Sequence, residues 1–166
     1  IFSNPCSRVV LPKNKRKEAV YLDEEQAAEL LAALDKESMQ HQVIVKLLLF
    51  TGLRRGELCG LEWKDVNFER AIITVRRSSL YLSGKGIFAD ETKNDTSTRC
   101  MKVSDDAIAM LRVWRAEQAK ERSLLGDQWQ DNDRLFTAWN GTPIRPDVIT
   151  AWFHRFEIGR ASCRER

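Results

Sequence analysis

Apolar residues along this chain follow a helical period first, a strand period in the middle, and a helical period again towards the end. Ala27, Leu30, Leu31 and Leu34 recur at i, i+3, i+4 and i+7, the stripe of an amphipathic helix. Asp23, with Gln26 three residues on, supplies a capping box to start it. A second helix is predicted from about Ser38 to about Phe50. Its segment VIVKLLLF, residues 43–50, reads as buried, and Gly52 just beyond supplies the left-handed or tight-turn conformation that ends helices. After a polar turn at residues 65–68 the period changes. The segment AIITVRRSSL, residues 71–80, opens with β-branched residues, sets Ile73, Val75 and Arg77 on one face, and predicts a strand. Two shorter segments, residues 87–92 and 98–103, flank the polar run Lys93 to Ser97 and read as a hairpin that completes a small antiparallel sheet. Ser104, with Asp105 and Asp106, caps a further helix to about Ser123, whose apolar face is Ala107, Met110, Leu111 and Trp114. Residues 134–136 then enter a turn at residues 139–144, and a last helix is predicted from about Pro146 to Phe156. The expected class is α+β, a mainly helical domain with a small three-stranded antiparallel sheet.

Composition and the chain ends narrow this picture. The segment EIGRASCRER, residues 157–166, lacks a hydrophobic period, and it is encoded in frame by a run that resembles a common sequencing adapter. Residues 157–166 are therefore expected to be a non-native tail. The chain begins at Ile1, and the expectation is an internal piece of a longer gene. Lys and Arg number 27 against 24 Asp and Glu, a formal charge of +3, and leaving out the tail lowers it by one. So mild a charge does not by itself identify a nucleic-acid binder, and the placement of the cations must decide.

Residues 1–19 are irregular, with Pro5, Pro12 and the basic cluster Lys13, Lys15, Arg16 and Lys17. They read as a linker entering a single domain over residues 20–156. The cluster is a candidate DNA contact, and it fits a solvated linker without a partner equally well. Cys6, Cys59, Cys100 and Cys163 form no C-x-x-C pair, which argues against a zinc site or a disulfide framework and for reduced thiols in a cytoplasmic protein. No apolar run approaches the roughly 18 residues of a membrane span.

The candidate chemistry begins at the end of the second helix. Gly52 breaks that helix and the chain restarts at once, so Arg54 leaves a sharp corner with its backbone fixed. A planar fork of five donors held there can face a phosphate with little ordering cost. Glu57 lies one helical turn on, at i+3, where its carboxylate can hold the guanidinium. An R-x-x-E pair alone is an ordinary surface ion pair. Here it sits in TGLRRGEL, residues 51–58, which resembles the first arginine box of the tyrosine recombinases, the phage-integrase family of DNA strand-exchange enzymes.

A second stretch, ETKNDTSTR at residues 91–99, resembles the lysine loop of that family, a T-K turn followed by S-x-R and an apolar strand. A third, L-F-x-x-W-N-G-T-P-I from Leu135, with the aromatic helix face Trp152, Phe153 and Phe156, is similar to the segment preceding the family's second box. The resemblance implies that Arg54 clamps the scissile phosphate, that Glu57 buttresses it, and that Lys93 protonates the departing 5′ oxygen as general acid. Arg99 and Lys102 become candidate DNA-backbone contacts, or else ordinary solvated strand charges. The linker would join a core-binding domain, and the two domains would clamp double-stranded DNA. The implied reaction needs no metal or other cofactor: a tyrosine phenolate attacks in line, and a 3′-phosphotyrosyl link conserves the bond energy.

The sequence also departs from the family pattern. The H-x-x-R box, a further His or Trp and the nucleophilic tyrosine are not found. His154 is followed by Arg155, Phe156 and Glu157, and His41, Tyr21 and Tyr81 stand in the wrong places. The sequence as given is therefore expected to bind DNA weakly, to cleave nothing, and to be monomeric. The resemblance implies that whole members of the family act as tetramers on DNA, and the location expected for this protein is the bacterial cytoplasm, in association with the nucleoid. A non-catalytic DNA-binding or regulatory protein of the same fold is the alternative. An accidental match would leave Arg54, Glu57 and Lys93 pointing in unrelated directions.

Overall fold

Three helix starts read from the sequence are closed by the residues named for them. The computed structural model describes residues 21–91 and 98–164, and for 89–91 and 158–164 the backbone only. In α1, Glu24–Leu34, the Asp23 carboxylate accepts from the Gln26 N–H at 2.7 Å, and the Gln26 side chain accepts from the Asp23 N–H at 3.1 Å. Such a cap contributes about 1 kcal/mol. Helix α2, Met39–Thr51, is capped by Ser38 and ends on Gly52 at φ 63°, ψ 23°, where a Cβ would be strained. Helix α4, Asp105–Leu125, is capped by Ser104. The remaining helices are α3, Arg55–Gly60, and α5, Pro146–Arg164. Helix α5 runs beyond Phe156, where the sequence pattern ends it. Extending a helix costs far less than nucleating one, and no proline interrupts residues 157–164.

The strand predicted over residues 71–80 is two strands, β2 at Ile72–Val75 and β3 at Arg77–Leu82. They divide at Arg76, where Arg76 and Arg77 both reach the buried Asp65 carboxylate. Ala71, at φ 53°, lies ahead of the strand. Two residues, Val66–Asn67, form β1. Strands β1, β2 and β5 (Arg99–Lys102) form an antiparallel sheet with β2 central, while β3 pairs with β4, Gly86–Glu91, as a second ribbon.

The hairpin predicted between residues 87–92 and 98–103 is not the pairing observed. Strand β4 pairs with β3 and β5 with β2, in the registers Arg77↔Glu91 and Val75↔Arg99. Consequently β4 and β5 run in the same direction along the two halves of one interrupted strand. The physical reason is a nearer turn. Ser83-Gly84-Lys85-Gly86 offers two glycines at φ 80° and 82°, and this short loop closes the β3–β4 hairpin first.

One core joins α2, the sheet and α4: Val43, Ile44 and Leu47 pack with Ile73, Leu111 and Phe136. The Trp114 indole N–H donates to the Leu135 carbonyl at 2.8 Å, so the ring is buried with its polar atom satisfied. A smaller cluster packs Leu30, Leu34 and Val45 against Trp152, Phe153 and Phe156 of α5. His41 stacks on Trp152 at 3.8 Å between centroids, and burial, opposed by Glu37, holds its pKa below the usual histidine value. It is a packing residue.

Helix α3 lies directly on β3. A Cβ on Gly56 would stand 2.5 Å from the Ser78 hydroxyl, and one on Gly60 2.8 Å from the Arg77 carbonyl oxygen. At Gly60 the neighbour is backbone and only glycine permits the approach, while at Gly56, one helical turn earlier, the Ser78 hydroxyl would have to rotate away. The corner that carries Arg54 is thereby seated on the sheet.

Candidate functional site

Gly52 turns the chain out of α2, Leu53 is buried, and Arg54 is the extended residue that caps α3, at φ −69° and ψ 145°. Glu57, in the first turn of α3, reaches back over it. Its Oε2 accepts from the Arg54 backbone N–H at 2.8 Å, and its Oε1 from Arg54 Nη1 at 3.2 Å. Backbone and side chain of Arg54 are thus fixed by one carboxylate. The Arg54 side chain remains 82% exposed while the Glu57 side chain is 10% exposed. Its neighbour Arg55 turns the other way and donates to the Thr150 hydroxyl of α5, tying α3 to α5.

The same carboxylate holds a second guanidinium. Arg99, the first residue of β5, donates from Nη1 to Oε1 at 3.0 Å and from Nη2 to Oε2 at 2.7 Å, the parallel fork geometry of a strong arginine–carboxylate pair. Its side chain is 42% exposed. Burial pushes the Glu57 pKa up, but the Arg54 backbone N–H, the Arg99 guanidinium and the Arg54 side chain together outweigh burial and bring it below the ordinary value. Glu57 is therefore ionised at neutral pH, and the three side chains carry one net positive charge at the surface. A planar cation with donors to spare, in a cluster of net positive charge, can donate to a phosphodiester oxygen.

Of the residues singled out in the sequence, the structure brings Arg54, Glu57 and Arg99 together. Lys102 lies at the other end of β5, exposed and opposite Ile72. At an odd separation from Arg99 along a strand, its side chain leaves the opposite face. Lys93 lies outside the described residues, as do Lys13, Lys15, Arg16 and Lys17.

Sequence reasoning missed a second charge cluster at the other end of α3. Arg77 Nη1 contacts Asp65 Oδ2 at 2.6 Å, Glu62 Oε2 at 3.0 Å and the Gly60 carbonyl at 3.3 Å. Arg134 Nη1 donates to the same carbonyl at 2.7 Å, and Lys64 Nζ reaches Glu62 at 2.6 Å. These contacts tie the last carbonyl of α3 to β3 and to the strand bend. Arg134 is far from Glu62 in sequence, so no local pattern signals the pairing, whereas the spacing of Gly56 and Gly60 was there to be read. Cys59, between these groups, has its thiol pKa pushed up to about 12 by burial, against the opposing pull of Arg55 and Arg134. It is an unreactive core residue. Among the described residues no helix is long and apolar enough to cross a membrane.

The sequence profile of the phage integrase family matches residues 20–160. The ICEBs1 integrase of Bacillus subtilis (strain 168) is 25% identical over 148 residues, which are 89% of this chain and 39% of that protein. A tyrosine recombinase of Thermosipho africanus is 33% identical over 154 residues, 92% of this chain and 44% of the relative. The chain thus spans less than half the length of either. Among solved structures, the Tn1549 transposon integrase in complex with circular intermediate DNA matches with a TM-score of 0.79 at 24% identity, covering 92% of this chain and 49% of that one. A XerA recombinase matches with a TM-score of 0.62 at 25% identity, covering 86% and 43%. The matched span is most of this chain, and the chain belongs to the phage integrase family.

Proposed function

We propose that these residues form the phosphate-binding part of a tyrosine recombinase active site, and that the whole protein performs site-specific DNA recombination or integration. The observation that carries this reading is the exposed Arg54 guanidinium, fixed at a helix start by Glu57 with Arg99 on the same carboxylate. A cation so preorganised can neutralise the charge that develops on the non-bridging oxygens of a phosphodiester under attack. The partner is double-stranded DNA. In the reaction, a tyrosine that has given up its hydroxyl proton to solvent attacks phosphorus as the phenolate, and the bond to the 5′ oxygen breaks. Lys93 supplies the proton that this oxygen needs. Attack by a free 5′ hydroxyl on the phosphotyrosyl link then returns the tyrosine and rejoins DNA. Lys13, Lys15, Arg16 and Lys17 are assigned to the DNA backbone, whereas Lys102, on the opposite face of β5 from Arg99, is not. The assembly on DNA is a tetramer.

The test is covalent trapping by the full-length protein on a nicked recombination site. A phosphotyrosyl adduct is expected, together with its loss in Arg54→Ala. The Lys93→Ala variant should regain cleavage on DNA whose scissile 5′ oxygen is replaced by sulfur, because a thiolate leaves without protonation. A protein that binds its site and forms no adduct would be a non-catalytic DNA-binding member of the same fold.

A further inference from the structure

The Glu57 carboxylate is shared unequally, and the inequality has a chemical effect. Arg99 occupies both of its oxygens at 3.0 and 2.7 Å, whereas the Arg54 side chain holds one of them, at 3.2 Å, through Nη1 alone. A carboxylate and a guanidinium at i, i+3 on one helix turn have every electrostatic reason to close into their own bidentate pair. If Arg54 did so, its fork would be consumed and its charge cancelled. Arg99 prevents this by filling the carboxylate from the sheet side.

We propose that Arg99 is a positioning residue for Arg54. By holding Glu57 in a bidentate pair it leaves the Nε and Nη2 donors of Arg54 free, and it keeps the site one charge positive towards a phosphodiester. This goes beyond a direct contact between Arg99 and DNA, and it rests on the reading of Arg54 as the phosphate ligand. The location supports it. Arg99 begins β5, whose register against β2 fixes it opposite the buried Val75, and Glu57 is anchored to the Arg54 backbone at 2.8 Å. Both ends of the ion pair are therefore set by regular structure. The lowered Glu57 pKa agrees with a carboxylate shared by two cations.

A double-mutant cycle on duplex-DNA binding by this chain separates the two roles. Arg99→Ala is expected to weaken binding about tenfold, by letting Arg54 close onto Glu57. In a Glu57→Gln background, where no carboxylate is left to capture Arg54, the same substitution should change binding less than twofold. Arg99→Lys keeps the charge but cannot occupy both oxygens, so it should behave as Arg99→Ala. Equal losses in both backgrounds, with the salt dependence reduced by about one phosphate contact, would make Arg99 a direct DNA ligand and overturn the proposal. So would wild-type binding by Arg99→Lys. A second readout needs no DNA. The Arg54 Nε–H, on a side chain that is 82% exposed, is expected to exchange fast in the wild type, and its resonance should shift and exchange more slowly in Arg99→Ala as Arg54 pairs with Glu57. No change there sinks the proposal, whereas a changed resonance with no effect of Arg54→Ala on DNA binding would sink the phosphate reading instead.

Discussion

The two ends of α3 carry the same chemistry, carboxylates gripped by guanidinium groups, and do opposite things with it. At the start of the helix, Glu57 is covered while Arg54 and Arg99 look outward. At its end, Asp65 is 1% exposed, Arg77 is 11% exposed, and both are closed over by Glu62 and Arg134. Arg77 directs Nη1 at two carboxylates and a carbonyl of its own protein. Arg54 directs one nitrogen at a carboxylate and leaves the rest of its fork to solvent. On the proposed reading of Arg54, what separates a scaffold arginine from a ligand-binding one is the number of donors left unspent, and exposure measures it. The buried cluster holds α3 to β3, and the surface cluster uses the corner so held.

That contrast predicts where substitutions hurt. Arg77→Ala should have the largest effect on folding, because it removes the buried cation shared by Asp65 and Glu62 and leaves Asp65, 1% exposed, to the more exposed Arg76. A loss of about 3–5 kcal/mol is expected, read as a lowered urea midpoint. A loss under 1 kcal/mol would mean that this cluster is no more structural than the other one.

Gly60→Val attacks the same joint by sterics. Its Cβ would lie 2.8 Å from the Arg77 backbone carbonyl, which cannot move without disturbing β3. Overpacking of this kind costs about 1–3 kcal/mol. DNA binding measured at a temperature where the variant is still folded should fall as well, since the Arg54 corner tilts with the helix. Retained affinity in a destabilised variant would show that the seat of α3 does not aim Arg54.

The surface cluster was largely legible in the sequence and the buried one was not, for a physical reason. Arg54 and Glu57 are one helical turn apart behind a helix-ending glycine, so local rules suffice to bring them together. Arg99 was noticed only as a nearby cation, because its pairing with Glu57 depends on the register of β5 against β2. The sequence pattern predicts a hairpin of residues 87–92 with 98–103, whereas β5 pairs with β2 and β4 with β3. The caps at Asp23 and Ser104 and the helix start near Ser38 are local, and the sequence carries them. The Arg134–Glu62 contact joins segments from either side of the sheet and of α4, and no periodicity carries such information. Helical and strand periods show which face is buried, but not which distant cation will neutralise a buried acid.

Acid should distinguish the clusters next. The Glu57 pKa is lowered in the folded protein, so its ionised form is favoured by folding. Its contribution is then fully present above the unfolded value, near 4.5, and is lost as pH falls through the lower folded value. Because Arg54 and Arg99 are solvent-screened, the contribution is roughly 1 kcal/mol or less. The stability difference between wild type and Glu57→Gln should therefore be small and constant above about pH 4.5, and should shrink below it. Urea midpoints across that range test this. A difference that grew on acidification would reverse the sign of the shift and with it the view that the two arginines stabilise the carboxylate.

Arg54→Ala completes the comparison with the smallest effect on folding. The side chain is mostly solvent-exposed, and Arg99 continues to neutralise Glu57 after its removal, so the melting curve should change by no more than about 0.5 kcal/mol. Binding is another matter. A charge-assisted contact to a phosphate contributes about 1.5–3 kcal/mol, and each factor of ten in affinity corresponds to about 1.4 kcal/mol, so duplex-DNA affinity should fall by roughly ten- to a hundredfold. Stability unchanged with affinity lost is the signature of an arginine whose donors are held in reserve. Arg77→Ala, examined where it remains folded, should show the reverse order. If Arg54→Ala instead unfolded the chain and left the residual folded fraction binding normally, the two ends of α3 would have to exchange roles.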